Sequence, residues 1–205
     1  MKKIILTIAL FISTISFASA QLTIGPKIGL NLSTEHSGEN IFDEDLKFKP
    51  GLNIGIFGKY YINDMFDFQA ELLYSQQGYK SNISFFDFGG VSLQYKYKTI
   101  SHYLNIPLLL KYYPFERIYF EAGPQIGFCL DYKLSSSYSE VDEVWDRYKD
   151  YNSVDFSLVG GIGIDLGSGL NITARYNHGF THTIPNTDYK NRVLQFSLTY
   201  DLWKF

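Results

Sequence analysis

The chain has 205 residues, a formal net charge of −3 and an 18% share of aromatic side chains, with 17 Tyr and 17 Phe. That length fits one domain, and the acidic balance argues against a nucleic-acid partner, which calls for a basic patch. The single cysteine, Cys129, excludes an intramolecular disulfide, and no Cys/His cluster has zinc-binding spacing.

Residues 1–20 predict a cleavable signal peptide. Lys2 and Lys3 form a basic start, Ile4 to Ile12 is mostly apolar, and Ala18-Ser19-Ala20 is an A-x-A cleavage site. The apolar run is too short for a spanning helix, which needs about 20 residues. The residue directly after the cleavage site is Gln21 and not a cysteine, which argues against a lipoprotein. Cleavage before Gln21 leaves residues 21–205 as one domain and, by removing two lysines, takes the formal charge from −3 to −5.

From Leu22 onward the sequence alternates with period 2. The first strand sets Leu22, Ile24, Pro26, Ile28, Leu30 and Leu32 on one face and Thr23, Gly25, Lys27, Gly29 and Asn31 on the other. The pattern returns at Gly51–Ile62, Phe66–Gln76, Ile100–Tyr113, Ile118–Tyr132, Ser153–Leu166, Leu170–His178 and Arg192–Phe205. Each run reaches roughly the 9–11 residues of a tilted membrane strand. Eight such runs with one apolar face and one small, polar or charged face predict a closed, eight-stranded antiparallel up-and-down transmembrane β-barrel. An open sheet would leave backbone groups unpaired in lipid. A soluble, lipocalin-like barrel would put its apolar residues inside around a ligand, the reverse of this pattern.

Turns near Asn63-Asp64, Pro114–Arg117 and Gly167–Gly169 are short, whereas 33–49, 77–99, 133–152 and 179–190 are long and polar. This alternation predicts short periplasmic turns and long extracellular loops. Within the loops, Ile83–Phe88 and Val91–Lys98 suggest a hairpin about Gly89-Gly90, and Ser139–Tyr148 suggests a short helical turn.

The inward rows collect Lys27, Lys59, Lys111 and Arg175 with Asp67, Glu71, Glu121, Asp131, Asp155, Asp165 and Asp201. Eight strands leave an interior only wide enough for side chains to fill, and buried charges are costly unless paired. A salt-bridged plug is therefore expected, with an ion path as the alternative. An enzyme would need a nucleophile and base near the rim. The candidates are His102 beside Ser101, and His178 and His182 beside Asn177, Thr181 and Thr183, none in a recognisable motif. Gly160-Gly161-Ile162-Gly163 lacks nucleotide-loop spacing and reads as strand glycines in a crowded interior. No catalytic, metal or cofactor site is expected. The even-numbered outer stripe continues to Leu202, so Trp203 and Phe205 fall out of phase unless a bulge intervenes.

The chain resembles the eight-stranded outer-membrane β-barrel family of Bacteroidetes-type bacteria, described as porin-family or PorT-like. The resemblance rests on Gly25-Pro-Lys-Ile-Gly-Leu-Asn31, Phe68-Gln-Ala-Glu-Leu-Leu-Tyr-Ser-Gln-Gln-Gly78, Tyr103-Leu-Asn-Ile-Pro-Leu-Leu-Leu-Lys-Tyr112 and Phe120-Glu-Ala-Gly-Pro-Gln-Ile-Gly127, and covers nearly the whole mature chain. It implies an envelope barrel with no set reaction. The expected partners are outer-membrane lipid, the barrel-assembly machinery during insertion, and envelope proteins met by the long loops, with the barrel itself monomeric. The PorT branch implies a component of a protein-secretion machinery. A narrow pore and a lipid-modifying enzyme are further alternatives. Mass spectrometry of the chain recovered from outer membranes is expected to give Gln21 as the first residue; retention of Met1–Ala20 would rule out the cleaved leader.

Overall fold

The computed structural model describes residues 21–37, 46–86, 92–138, 144–147 and 150–205. The expected signal peptide lies outside them. The strands are β1 (Leu22–Ser37), β2 (Leu46–Asn63), β3 (Phe66–Gln77), β4 (Tyr79–Phe86), β5 (Ser92–Tyr112), β6 (Ile118–Tyr138), β7 (Val144–Arg147), β8 (Val154–Asp165), β9 (Leu170–His182), β10 (Tyr189–Tyr200) and β11 (Trp203–Lys204). No helix occurs among the described residues.

The wall has eight antiparallel staves in the order β1, β2, β3, β5, β6, β8, β9, β10, and it closes where β10 pairs with β1 from Lys27↔Thr199 to Ser37↔Tyr189. Closure leaves no sheet edge in the wall, the condition for a sheet to cross lipid. β4 continues β3 beyond Gly78, β7 pairs with the upper end of β6, and β11 continues β10. Gly78 makes the continuation possible: its φ is 131°, and a Cβ there would lie 2.2 Å from the Thr99 carbonyl oxygen.

The alternation read in the sequence sorts side chains to opposite faces. Ile28, Leu52, Ile54, Leu108, Leu158, Ile172 and Phe196 are exposed on the outside, whereas Asn31, Asn53, Gln69, Ser75, Thr173 and Gln195 are buried inside. This is the inverse of a soluble barrel, and it fits lipid outside and a polar lumen within.

The short turns are built by local capping. Asn63 Oδ1 accepts from the N–H groups of Met65 and Phe66, each at 3.0 Å, and Asp165 Oδ1 accepts from Gly167 N–H at 2.7 Å. Gly167, Ser168 and Gly169 all have positive φ, a run that needs glycine at its ends.

At the opposite end the structure extends what the periodicity delimited. β5 and β6 are 21 residues each, about twice the length that lipid requires, so their upper halves stand clear of the membrane. β4 pairs with β5 from Phe86↔Ser92 to Lys80↔Lys98, giving the expected hairpin; its Gly89-Gly90 tip lies outside the described residues. The helical turn expected over Ser139–Tyr148 is corrected in its described part. Val144–Arg147 is a strand, paired with Lys133–Ser136 of β6, because the projecting edge of β6 offers unpaired backbone groups. The rest of that segment lies outside the described residues.

A bulge settles the phase of the C-terminus. The register changes from Lys27↔Thr199 to Ile24↔Trp203, inserting one residue on the β10 side. Asp201 turns inward, while Trp203 and Phe205 take the outer face with exposures of 58% and 57%. The Phe205 N–H donates to the Leu22 carbonyl at 2.9 Å, tying the last residue to the first strand.

Leu108 stands mid-row on the outside of β5. Leu108→Arg is expected to destabilise the inserted barrel by about 2–4 kcal/mol, measured by denaturant unfolding in vesicles. Asn105→Arg, on the inner face, should leave lipid anchoring unchanged.

Candidate functional site

The structure brings five of the expected lumen charges into one buried network. Arg175 on β9 faces Glu71 on β3, four staves away and therefore across the full barrel. Its Nη1 and Nη2 donate to the two Glu71 carboxylate oxygens, both at 2.7 Å. The same guanidinium uses Nε and Nη2 on Glu121 of β6. Lys27 donates to Glu71 at 2.9 Å, and the Lys111 ammonium lies 3.9 Å from Glu121 and 4.1 Å above the Tyr119 ring. All five charged side chains are buried. Arg can serve two carboxylates at once because its planar fork presents five donors.

Neighbouring glycines make room for this network. Gly161 on β8 is directly paired with both Glu121 and Arg175. A Cβ there would lie 2.9 Å from Arg175 Cγ and 3.1 Å from Glu121 Oε1. Gly163 opposes Tyr119, whose Cζ would sit 2.2 Å from an added Cβ. The ring folds over the glycine, and its hydroxyl meets Thr173 Oγ1 at 2.7 Å. Gly161 and Gly163 of the Gly-Gly-Ile-Gly run thus have a packing role in this lumen, whereas a Cβ at Gly160, on the outer row, would meet nothing within 4 Å.

The remaining candidates fall at different levels. Lys59 and Asp201 pair at 3.0 Å near the short-turn mouth. Asp67 is buried there, opposite Lys111 in register. Asp165 lines the same mouth, a polar cavity of about 290 Å³, and caps its own turn. Asp155 is buried higher up. Asp131 departs from the expected inner row. A register shift between His102 and Tyr103 pairs it with His102, turns it outward beside Lys133 at 3.5 Å, and sends Tyr132 inward instead.

Two further contacts span the barrel and were not read from the sequence. Tyr103 on β5 accepts from Asn191 on β10 at 3.1 Å, and Tyr132 on β6 donates to Glu35 on β1 at 3.2 Å. Thr183 also donates to Glu35, at 3.1 Å. The signal for Glu35 was the odd-numbered phase of β1, which continues beyond Leu32 where the apolar stripe stops.

The hydroxyl and imidazole groups considered for catalysis are separated by strand alternation. Ser101 is buried inside, whereas His102 lies outside and shares a 2.6 Å hydrogen bond with Tyr74. Thr183 points to Glu35, whereas His182 lies 3.8 Å from Asp188 and is partly exposed.

A closed antiparallel wall, apolar outside and polar inside, with short turns at one end and long connections at the other, defines a transmembrane β-barrel of the bacterial outer membrane. The chain belongs to the family described as outer membrane protein beta-barrel domain, whose profile matches residues 17–185. Among curated proteins none matches significantly. Among solved structures it is similar to Ail, the attachment invasion locus protein of Yersinia pestis, in complex with the heparin analogue sucrose octasulfate. That likeness has 14% identity, covers 88% of this chain and 98% of that one, and has a TM-score of 0.46. It is also similar to Neisserial surface protein A, with 10% identity, coverage of 87% and 97%, and a TM-score of 0.46.

Removing the guanidinium leaves two buried carboxylates under-compensated. Arg175→Ala is expected to cost about 3–5 kcal/mol in urea unfolding of the folded barrel. Replacing the whole group, as Glu71→Leu with Glu121→Leu and Arg175→Met, should recover most of that loss. A single substitution as mild as a surface change would show that the network does not hold the lumen.

Proposed function

We propose that this barrel is a closed envelope element whose lumen is plugged by its own side chains and whose long-loop end carries its interactions. The observation that carries this reading is the Arg175–Glu71 fork, which joins opposite walls at 2.7 Å through buried groups. The Tyr103–Asn191 and Tyr132–Glu35 contacts repeat the crossing at two more places. An eight-stranded interior has little room for a water column beside such groups. The proposed lumen network is Lys27, Lys59, Asp67, Glu71, Lys111, Glu121, Asp155, Asp165, Arg175 and Asp201.

The reading includes export with residues 1–20 as a cleaved leader, insertion by the assembly machinery, and a monomeric state, since a wall closed on itself presents no edge to a second copy. A non-enzymatic role is supported by the separation of Ser101 from His102 and of Thr183 from His182. The secretion-component alternative rests on the PorT-like resemblance and would be favoured by loss of protein export on deletion of the gene.

Purified full-length mature chain in planar bilayers is expected to give little or no steady conductance. Arg175→Ala and Lys111→Ala should lower stability without opening a defined channel. Reproducible ion-selective currents from the unmodified chain, altered by Lys111→Ala, would make it a channel.

A further inference from the structure

Gly160 has no task inside the barrel. It is exposed on the outer row of β8, its φ is not positive, and a Cβ there would meet nothing within 4 Å. A glycine inside a strand weakens it, and is retained where another group approaches the backbone closely.

The outer wall around Gly160 is hollowed. Gly160 is directly paired with Ala122 on β6, and Ala174 on β9 is paired with Ile162, the next outer residue of β8 toward the short turns. Phe120, paired with Ile162, and Tyr176, paired with Gly160, rise beside these small residues with exposures of 49% and 43%. Next to them, Ile118, Ile162, Gly163, Ile164, Ile172 and Ala174 line an apolar groove of about 330 Å³. Ile118 opens β6 and Ile172 is the third residue of β9, so the groove starts at the short-turn end of the wall. From Ile164 to Gly160 the hollow runs about 13 Å along β8.

We propose that this hollow seats one acyl chain of a phospholipid in the leaflet on the short-turn side. It belongs to the apolar outer band, so hydrocarbon is the medium it faces. Its length is close to half of the roughly 30 Å hydrocarbon core, the depth that a chain spans in one leaflet. A second copy of the protein would need about 20–30 contact residues a side, and six residues line the groove. A chain lying over Gly160 and Ala174 supplies the close carbon contacts that these small side chains leave open, which an empty gap would forfeit. The four isoleucines are β-branched and stiff, so the groove keeps its shape between occupants. No charged side chain lines it, so it selects the chain and not the headgroup.

The test uses the full mature chain in phosphatidylcholine vesicles doped with a phosphatidylcholine that carries a diazirine at mid-chain. Mass spectrometry after photolysis maps the labelled residues. Label is expected to concentrate on residues 160–164 and 172–174, above the level on the outer rows of β1 and β2. Gly160→Leu with Ala174→Leu fills the hollow, and losing roughly ten close carbon contacts should lower label there about tenfold. Gly58→Leu, the same change on the outer row of β2, should leave it unchanged. Heat-modifiable gel migration reports folding, and if the double variant does not fold, Ala174→Leu alone should lower label about threefold, for roughly half of those contacts. Label spread evenly over the outer rows, or equal in wild type and variant, would overturn the proposal. So would dimers in these vesicles that Gly160→Leu with Ala174→Leu dissolves.

Discussion

With eight staves, side chains on opposite walls of this barrel are within reach of one another. The rest of the structure follows from that narrowness. Arg175 reaches Glu71 across the axis with two hydrogen bonds of 2.7 Å. A long side chain from one strand needs a small residue beside it, which is why Gly161 separates Glu121 from Arg175 and Gly163 lies under Tyr119. The inner rows must therefore alternate bulk between neighbouring strands, and the charges among them must compensate one another, because little water can stay to solvate them.

The outer face obeys a different solvent. Lipid requires apolar side chains and a backbone paired throughout, so the wall closes and the exposed rows carry Ile, Leu and Phe. The same demand extends to the chain's end. The bulge after Tyr200 holds Asp201 inside against Lys59 and delivers Trp203 and Phe205 to the outer face. Without that extra residue Trp203 and Phe205 would follow Asp201 into the lumen.

These two constraints leave few surfaces for recognition. The inner face is lined by buried polar and charged side chains, and the apolar band serves the bilayer. What remains is the projecting sheet formed by β4, β5, β6 and β7, at the end where connections are long. The strands there exceed what lipid requires by about a factor of two, so chain length has been spent beyond the membrane. Loops on a rigid scaffold are where binding functions concentrate.

The sequence by itself determined the period, the two faces and the alternation of turn lengths, because side-chain direction in a strand is strictly local. That was enough for an eight-stranded barrel and for the inward direction of Lys27, Glu71, Lys111, Glu121 and Arg175. It could not say which charges meet, since Arg175 and Glu71 are 104 residues apart and their contact depends on closure of the wall. Nor could it follow direction through a bulge: one extra residue sent Asp131 outward and Tyr132 inward, and another returned Trp203 and Phe205 to the lipid face. A bulge is a property of two paired strands, so it is decided by register between them, and register exists only once the sheet has formed.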